Sequence, residues 1–82
     1  MTSPNITTTI TERVEELSGQ TIPLSSSWLT SCQYDKDTQA LDVTMQNGNT
    51  YNLTGVPPDT FLAFIDAPSP GTFWNNELKG KY

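Results

Sequence analysis

The pair Asn47-Gly48 restricts this chain more tightly than any other feature of it. Before it, Leu41, Val43 and Met45 alternate with Asp42, Thr44 and Gln46. That period of two predicts a half-buried β-strand. Asn-Gly between two such runs is the strongest short hairpin signal, because both positions of a two-residue turn need positive φ. The returning strand is residues 50–54, with Tyr51 and Leu53 on one face. Upstream, Trp28, Thr30, Cys32 and Tyr34 fall on one side of a further strand, and the polar run Asp35-Lys36-Asp37-Thr38 is a turn. These three segments predict a three-stranded antiparallel meander.

A helix should cover one face of it. Pro58 suits a first helical position, where its missing N–H is harmless. Asp59 in the first turn complements the helix dipole. Phe61, Leu62, Phe64 and Ile65 make a broad apolar stripe, and Pro68 ends it. Beyond Ser69 the pattern predicts one helical turn over residues 74–78 that stops at Gly80.

Residues 1–25 form a polar, Thr-rich lead. Thr9-Ile10-Thr11-Glu12 fits a capping box. Ile6, Ile10, Val14 and Leu17 recur at near-helical spacing, and Gly19 stands where a helix would stop. A short helix over residues 10–18 is predicted. The β-branched run 7–11 also fits a strand, and Glu15 and Glu16 oppose the dipole at the helix end. Residues 19–27 read as a linker, with Pro23 barring a regular element. The expected class is therefore α+β: a three-stranded meander packed by one main helix, with an N-terminal helix and a short C-terminal helical tail. The expected division is a lead over 1–25 and a domain over 26–82.

The side-chain inventory excludes several chemistries. One cysteine, Cys32, allows no intrachain disulfide, and without histidine the usual Cys/His zinc pattern is missing. A catalytic Cys32 would want a neighbouring base, and there is no histidine to supply one. Asp35 and Asp37 flank a turn but lack the ligand set of a calcium loop. No enzyme activity, metal or cofactor is expected. Nine acidic against four basic residues give a net charge of −5. Broad binding to nucleic acid needs many Lys and Arg on phosphates, so extended nucleic acid is not an expected partner. No stretch reaches the ~20 apolar residues that cross a bilayer, and no signal peptide is seen, so no membrane partner and a cytoplasmic location are expected. A core this small often gains stability from assembly, so a homo-oligomer is expected.

The run from Ser26 to Tyr82 resembles the KTSC domain family. The marks are Tyr34-Asp35 after the first predicted strand, Val56-Pro57-Pro58 before the helix, and Ser69-Pro70-Gly71 after it. Phe73-Trp74-Asn75 and the ending Lys79-Gly80-Lys81-Tyr82 complete the set. The chain departs from the family where Tyr51-Asn52-Leu53 replaces the frequent Tyr-x-Tyr, and where Pro70 replaces a frequent Lys. The ending also has Lys rather than Arg, so point charges replace bidentate phosphate recognition. The family occurs at the C-terminus of some lysyl-tRNA synthetases and as small free-standing bacterial and phage proteins. The first setting implies RNA binding. The second implies a compact binder that sequesters a nucleotide immune signal, in the host cytoplasm if phage-encoded.

Two of the four cations lie in the last four residues, close behind Phe73-Trp74-Asn75. In extended backbone Lys79 and Lys81 would point to one side and clamp a phosphate, or they form a solvated tail. Phe73 is expected in the core, while Trp74 either staples the tail or offers a ring to a base. Asn75 and Asn76 suit a turn cap or a base edge. Tyr51 and Trp28 suit core, interface or stacking roles. The candidate ligand set is Lys79, Lys81, Trp74, Asn75, Tyr51 and Tyr82. The expected function is non-enzymatic capture of a nucleotide-type anion. An RNA-binding accessory module and a protein-interaction or inhibitor domain are the alternatives.

Overall fold

The computed structural model describes residues 6–82, with side chains from Ile10 onward. Its elements are α1 (Ile6–Leu17), β1 (Thr21–Pro23), β2 (Leu29–Asp35), β3 (Ala40–Met45), β4 (Thr50–Leu53), α2 (Pro58–Asp66) and α3 (Pro70–Phe73). A single π turn over Trp74–Leu78 continues α3. The strands form one antiparallel sheet in the order β1-β2-β3-β4.

The sheet therefore has four strands, not three. The segment expected to be a linker supplies β1, pairing Thr21 with Gln33, Ile22 with Cys32 and Pro23 with Ser31. Proline is tolerated because β1 is an edge strand, where its missing donor leaves no ladder bond unmade. Gly19 turns the chain out of α1 at φ +81°, and its N–H donates to the Tyr34 carbonyl at 2.8 Å.

The hairpin at Asn47-Gly48 forms, with a different turn from the one expected. Among the described residues Gly48 (φ +91°) has positive φ and Asn47 does not. Gly48 N–H donates to Met45 O at 3.0 Å, and Met45 N–H donates to Asn49 O at 2.8 Å. This is the three-residue loop, in which glycine alone takes the left-handed position. Asn47 contributes through its side chain, whose Oδ1 accepts from Asn49 N–H at 3.0 Å.

The alternation in β2 also breaks. The register shifts between Leu29 and Ser31, a bulge that puts one extra residue in the strand. Cys32 and Tyr34 face inward as expected. Upstream of the bulge the faces exchange: Leu29 is fully buried, while Trp28 and Thr30 are exposed.

One face of the sheet is apolar and carries the helices. Leu29, Cys32, Tyr34, Leu41, Val43, Met45 and Leu53 pack with Phe61, Leu62 and Phe64 of α2, with Trp74 and Leu78, and with Val14 of α1. Each such side chain contributes about 1.5–3 kcal/mol on full burial. Tyr34 is the centre. Its ring stacks on Phe61 at 4.4 Å and 7°, and its hydroxyl donates to Val56 O at 2.6 Å. The opposite face is polar, with Asn52 Nδ2 donating to Asp42 Oδ1 at 2.6 Å across the β3–β4 pair.

α1 spans Ile6–Leu17, which places Thr9 within the helix; its side chain, and with it the expected capping contact, lies outside the described side chains. The share of Ile6 in the apolar stripe falls outside the described side chains. Val14 is buried, Ile10 and Leu17 pack beside it, and Arg13 holds Asp66 of α2 through two bonds of 2.7 and 3.0 Å. The guanidinium's hydrogen bonds hold the Asp66 carboxyl below its ordinary range. Both groups are exposed, so the pair is worth only about 0–1 kcal/mol. The lead and the domain thus share one core.

Candidate functional site

Three local features converge at one end of the sheet. The β2 bulge turns Trp28 outward, the β3–β4 hairpin brings Met45, Gln46, Asn47 and Tyr51, and the π turn brings Trp74 and Lys79. Together they line a cleft of about 280 Å³. Trp74 and Met45 are 2% and 6% exposed and form its floor. Trp28 and Tyr51 are 38% and 46% exposed and form its walls. The Tyr51 and Trp74 rings meet at 5.5 Å and 55°.

Each wall is held. Gln46 N–H donates to Trp28 O at 2.9 Å, and Gln46 Nε2 donates to Leu29 O at 3.3 Å, which ties the hairpin to the bulge. The Trp28 indole lies against Gly71. A Cβ at Gly71 would fall 2.5 Å from Trp28 Nε1 and 2.9 Å from Cε2, so only glycine lets the ring sit there. Gly71→Ala should therefore displace the indole, at a cost of ~1–3 kcal/mol as for other overpacking changes. A melting temperature lower by several degrees and a changed tryptophan emission spectrum would report both effects. An unchanged spectrum would mean that the ring is not seated on Gly71.

The C-terminal helix ends in a way that separates the two lysines. Lys79 N–H donates to Trp74 O at 2.7 Å, five residues back, which closes the π turn. Lys79 is extended at φ −61°, ψ 121°, Gly80 follows at φ +76°, and Lys81 N–H returns to Leu78 O at 3.0 Å. This is a tight turn of the type that takes glycine at its third position. The expected extended clamp is not formed. Lys79 lines the cleft and Lys81 does not.

Of the six residues expected at a ligand site, Lys79, Trp74 and Tyr51 come together. Lys81, Asn75 and Tyr82 are exposed outside the cleft lining. Neither Asn75 nor Asn76 makes a side-chain hydrogen bond among the described residues, so neither caps the turn. Of the two neighbouring rings, Trp74 takes the stapling alternative and Phe73 sits at the edge of the core rather than inside it. Trp74 is the buried one, and Phe73 is half-buried against Phe64 at 5.8 Å. Pro70, Trp74 and Leu78 follow one another at a spacing of four, so they share the inner face of the α3–π-turn helix. Trp28, Met45, Gln46 and Asn47 were not in the expected set. The bulge that exposes Trp28 has no signature in the alternation around it.

The charge distribution favours this cleft for an anion. Arg13 pairs with Asp66 and Lys36 with Asp37, while Lys79 and Lys81 have no ion-pair partner among the described residues. Lys79 is the charged side chain of the cleft lining. A larger cleft of about 410 Å³ lies between α1, the β2–β3 turn and the start of α2. Its lining includes Glu15, Asp37 and Asp59, with Lys36 already paired to Asp37, so it repels anions.

Cys32, Tyr34 and Asp35 make internal contacts away from this cleft. Burial pushes the Cys32 thiol up to about 12, which keeps it protonated and unreactive at neutral pH. Burial, then the charges of Asp59 and Asp35, raise the Tyr34 phenol. Asp35 Oδ1 accepts from Asp37 N–H at 2.9 Å and from Thr38 N–H at 3.3 Å, so it shapes the turn. No helix among the described residues is long and apolar enough to cross a membrane.

Comparison with known proteins agrees with this architecture. The model of the family described as KTSC domain matches residues 25–82. An uncharacterized protein of Stutzerimonas stutzeri (strain A1501) is 34% identical over 61 residues, which cover 74% of this chain and 86% of that protein. The crystal structure of a KTSC domain protein from Yersinia pestis superposes with a TM-score of 0.72 at 37% identity, covering 76% of this chain and 87% of that one. α1 and β1 lie before the matched residues, and β2 through the C-terminal turn lie within them. On these matches the chain belongs to the KTSC domain family.

Proposed function

We propose that the protein is a non-enzymatic binder that captures a small nucleotide-type anion in the cleft of Trp28, Tyr51, Trp74 and Lys79. The observation that carries this reading is the meeting of exposed aromatic walls with an unpaired cation. A base stacked on such a ring gains about 1–3 kcal/mol. A charge-assisted hydrogen bond from Lys79 to phosphate adds about 1.5–3 kcal/mol. Gln46 and Asn47 place amides at the same rim for the polar edge of a base.

Binding without turnover is favoured because the chain has no histidine and its one thiol is buried. Such a protein acts as a sponge, lowering the free concentration of whatever nucleotide it holds. The net charge of −5 disfavours a long RNA, which would lie across acidic surface beyond the cleft.

The test is a thermal-shift screen with mononucleotides and cyclic nucleotides. A ligand at a hundredfold excess over its Kd stabilises by about 2.7 kcal/mol. For a chain this size that raises the melting temperature by ~10 °C or more. Lys79→Ala and Tyr51→Ala should each weaken binding by about tenfold or more, from the energies above. Lys81→Ala should leave it unchanged, because that side chain lies outside the cleft. No shift with any nucleotide would end this reading.

A further inference from the structure

The cleft also limits how much ligand it can hold. We propose that its ligand carries one base and one phosphate, bound as one molecule per chain; this rests on the nucleotide-binding reading above. Three observations converge. The cleft is about 280 Å³, just under the ~300–1,000 Å³ usual for small-molecule pockets. It therefore suits a ligand at the small end of that range. Its lining supplies one cation, Lys79, so it neutralises one phosphate. The turn through Gly80 carries Lys81 out of the lining, so a second phosphate gains no second ammonium from this chain.

The rest of the lining is neutral. Trp28, Tyr51 and Trp74 offer ring surface, and Gln46 and Asn47 offer amides. Asn47 Oδ1 is occupied by Asn49 N–H, so its Nδ2 is left as a donor toward a carbonyl or a phosphate oxygen. Polyphosphates are ordinarily held by successive backbone N–H groups or by several cations. Here the glycine turn spends Lys79 N–H on Trp74 O and Lys81 N–H on Leu78 O, which leaves no run of successive free donors. The energetic preference is thus for ring stacking plus a single charge contact.

Isothermal titration of the full chain separates the possibilities. The probes are the four ribonucleosides, their 5′-monophosphates, their 3′,5′-cyclic monophosphates, adenosine triphosphate and a cyclic dinucleotide. The expected result is a stoichiometry of one monophosphate per chain, with the matching nucleoside at least tenfold weaker. The triphosphate and the cyclic dinucleotide should bind no more than about threefold tighter than the best monophosphate. Lys79→Ala should bring monophosphate and nucleoside affinities within about threefold of each other, while retaining nucleoside binding. A cyclic dinucleotide or triphosphate that binds tenfold tighter than every monophosphate would overturn the proposal while sparing nucleotide binding. So would one ligand shared by two chains. Silence from every probe would remove the nucleotide reading, and this inference with it.

Discussion

Tyr34→Ala is expected to leave the chain mostly unfolded at 37 °C. Tyr34 is fully buried, its ring is stacked on Phe61, and its hydroxyl satisfies the Val56 carbonyl. Truncating a buried aromatic to alanine costs about 3–5 kcal/mol. Orphaning a buried carbonyl adds about 1–3 kcal/mol. An 82-residue domain has roughly 4–12 kcal/mol of stability at ~0.05–0.15 kcal/mol per residue. The loss is therefore comparable with the whole. Tyr34→Phe separates the two contributions. It keeps the stacked ring and should cost only about 1–3 kcal/mol, which urea denaturation can measure. A Tyr34→Ala protein with a wild-type unfolding midpoint would show that this ring is not central to the core.

Trp74→Ala is the second large effect, and it acts on fold and cleft together. In the segment from α3 to the C-terminus, Trp74 and Leu78 of the π turn are the large buried side chains, with half-buried Phe73 beside them on Phe64. Removing the indole should cost about 3–5 kcal/mol. The loss should be uneven. α2 has its own buried stripe of Phe61, Leu62 and Phe64, so the C-terminal turns should loosen first. Hydrogen exchange should show amides of residues 74–81 losing protection beyond those of β2 and β3. Ligand binding should fall by more than tenfold, because the cleft loses its floor and the anchor that sets Lys79. Equal loss of protection along the chain would argue that the terminal helix is not a separable element.

How far the sequence revealed these features depended on the range of the interaction. Local chemistry was legible. Proline at the first turn of α2, the apolar stripe Phe61-Leu62-Phe64, the alternation Leu41-Val43-Met45 and the glycine stops at Gly19 and Gly80 all express short-range rules, and all stand. β1 was hidden because a three-residue edge strand containing proline carries almost no periodic signal. The β2 bulge was hidden because it depends on how the strand meets β3, and it moved Leu29 inward and Trp28 outward. Helix type also lay beyond local reading: the expected helical turn over residues 74–78 is a π turn, closed by Lys79 N–H on Trp74 O.

The motifs behind the family resemblance divide into scaffold and site. Tyr34-Asp35 pins the core and shapes the β2–β3 turn. Val56-Pro57-Pro58 receives the tyrosine hydroxyl and launches α2. Ser69 caps α3, with its Oγ accepting from Thr72 N–H, and Gly71 seats Trp28. The terminal basic run was read as a pair of lysines, but Lys79 alone lines the cleft, because Gly80 breaks the extended geometry that would have aligned the two. Tyr51 and Trp28, both weighed for core, interface or stacking roles, stand at the cleft walls, although Trp28 was not in the expected ligand set.

Both tryptophans of the chain line the proposed cleft. Their two indole N–H resonances in a nitrogen–proton correlation spectrum are therefore internal reporters of it. Titration of ¹⁵N-labelled protein with nucleoside monophosphates tests the central claim most directly. The account predicts that both indole signals move saturably with one shared Kd, and that Lys79→Ala weakens that Kd at least tenfold. Indole signals that stay fixed across the whole nucleotide panel, or that stay fixed while residues around Pro58 respond, would contradict it.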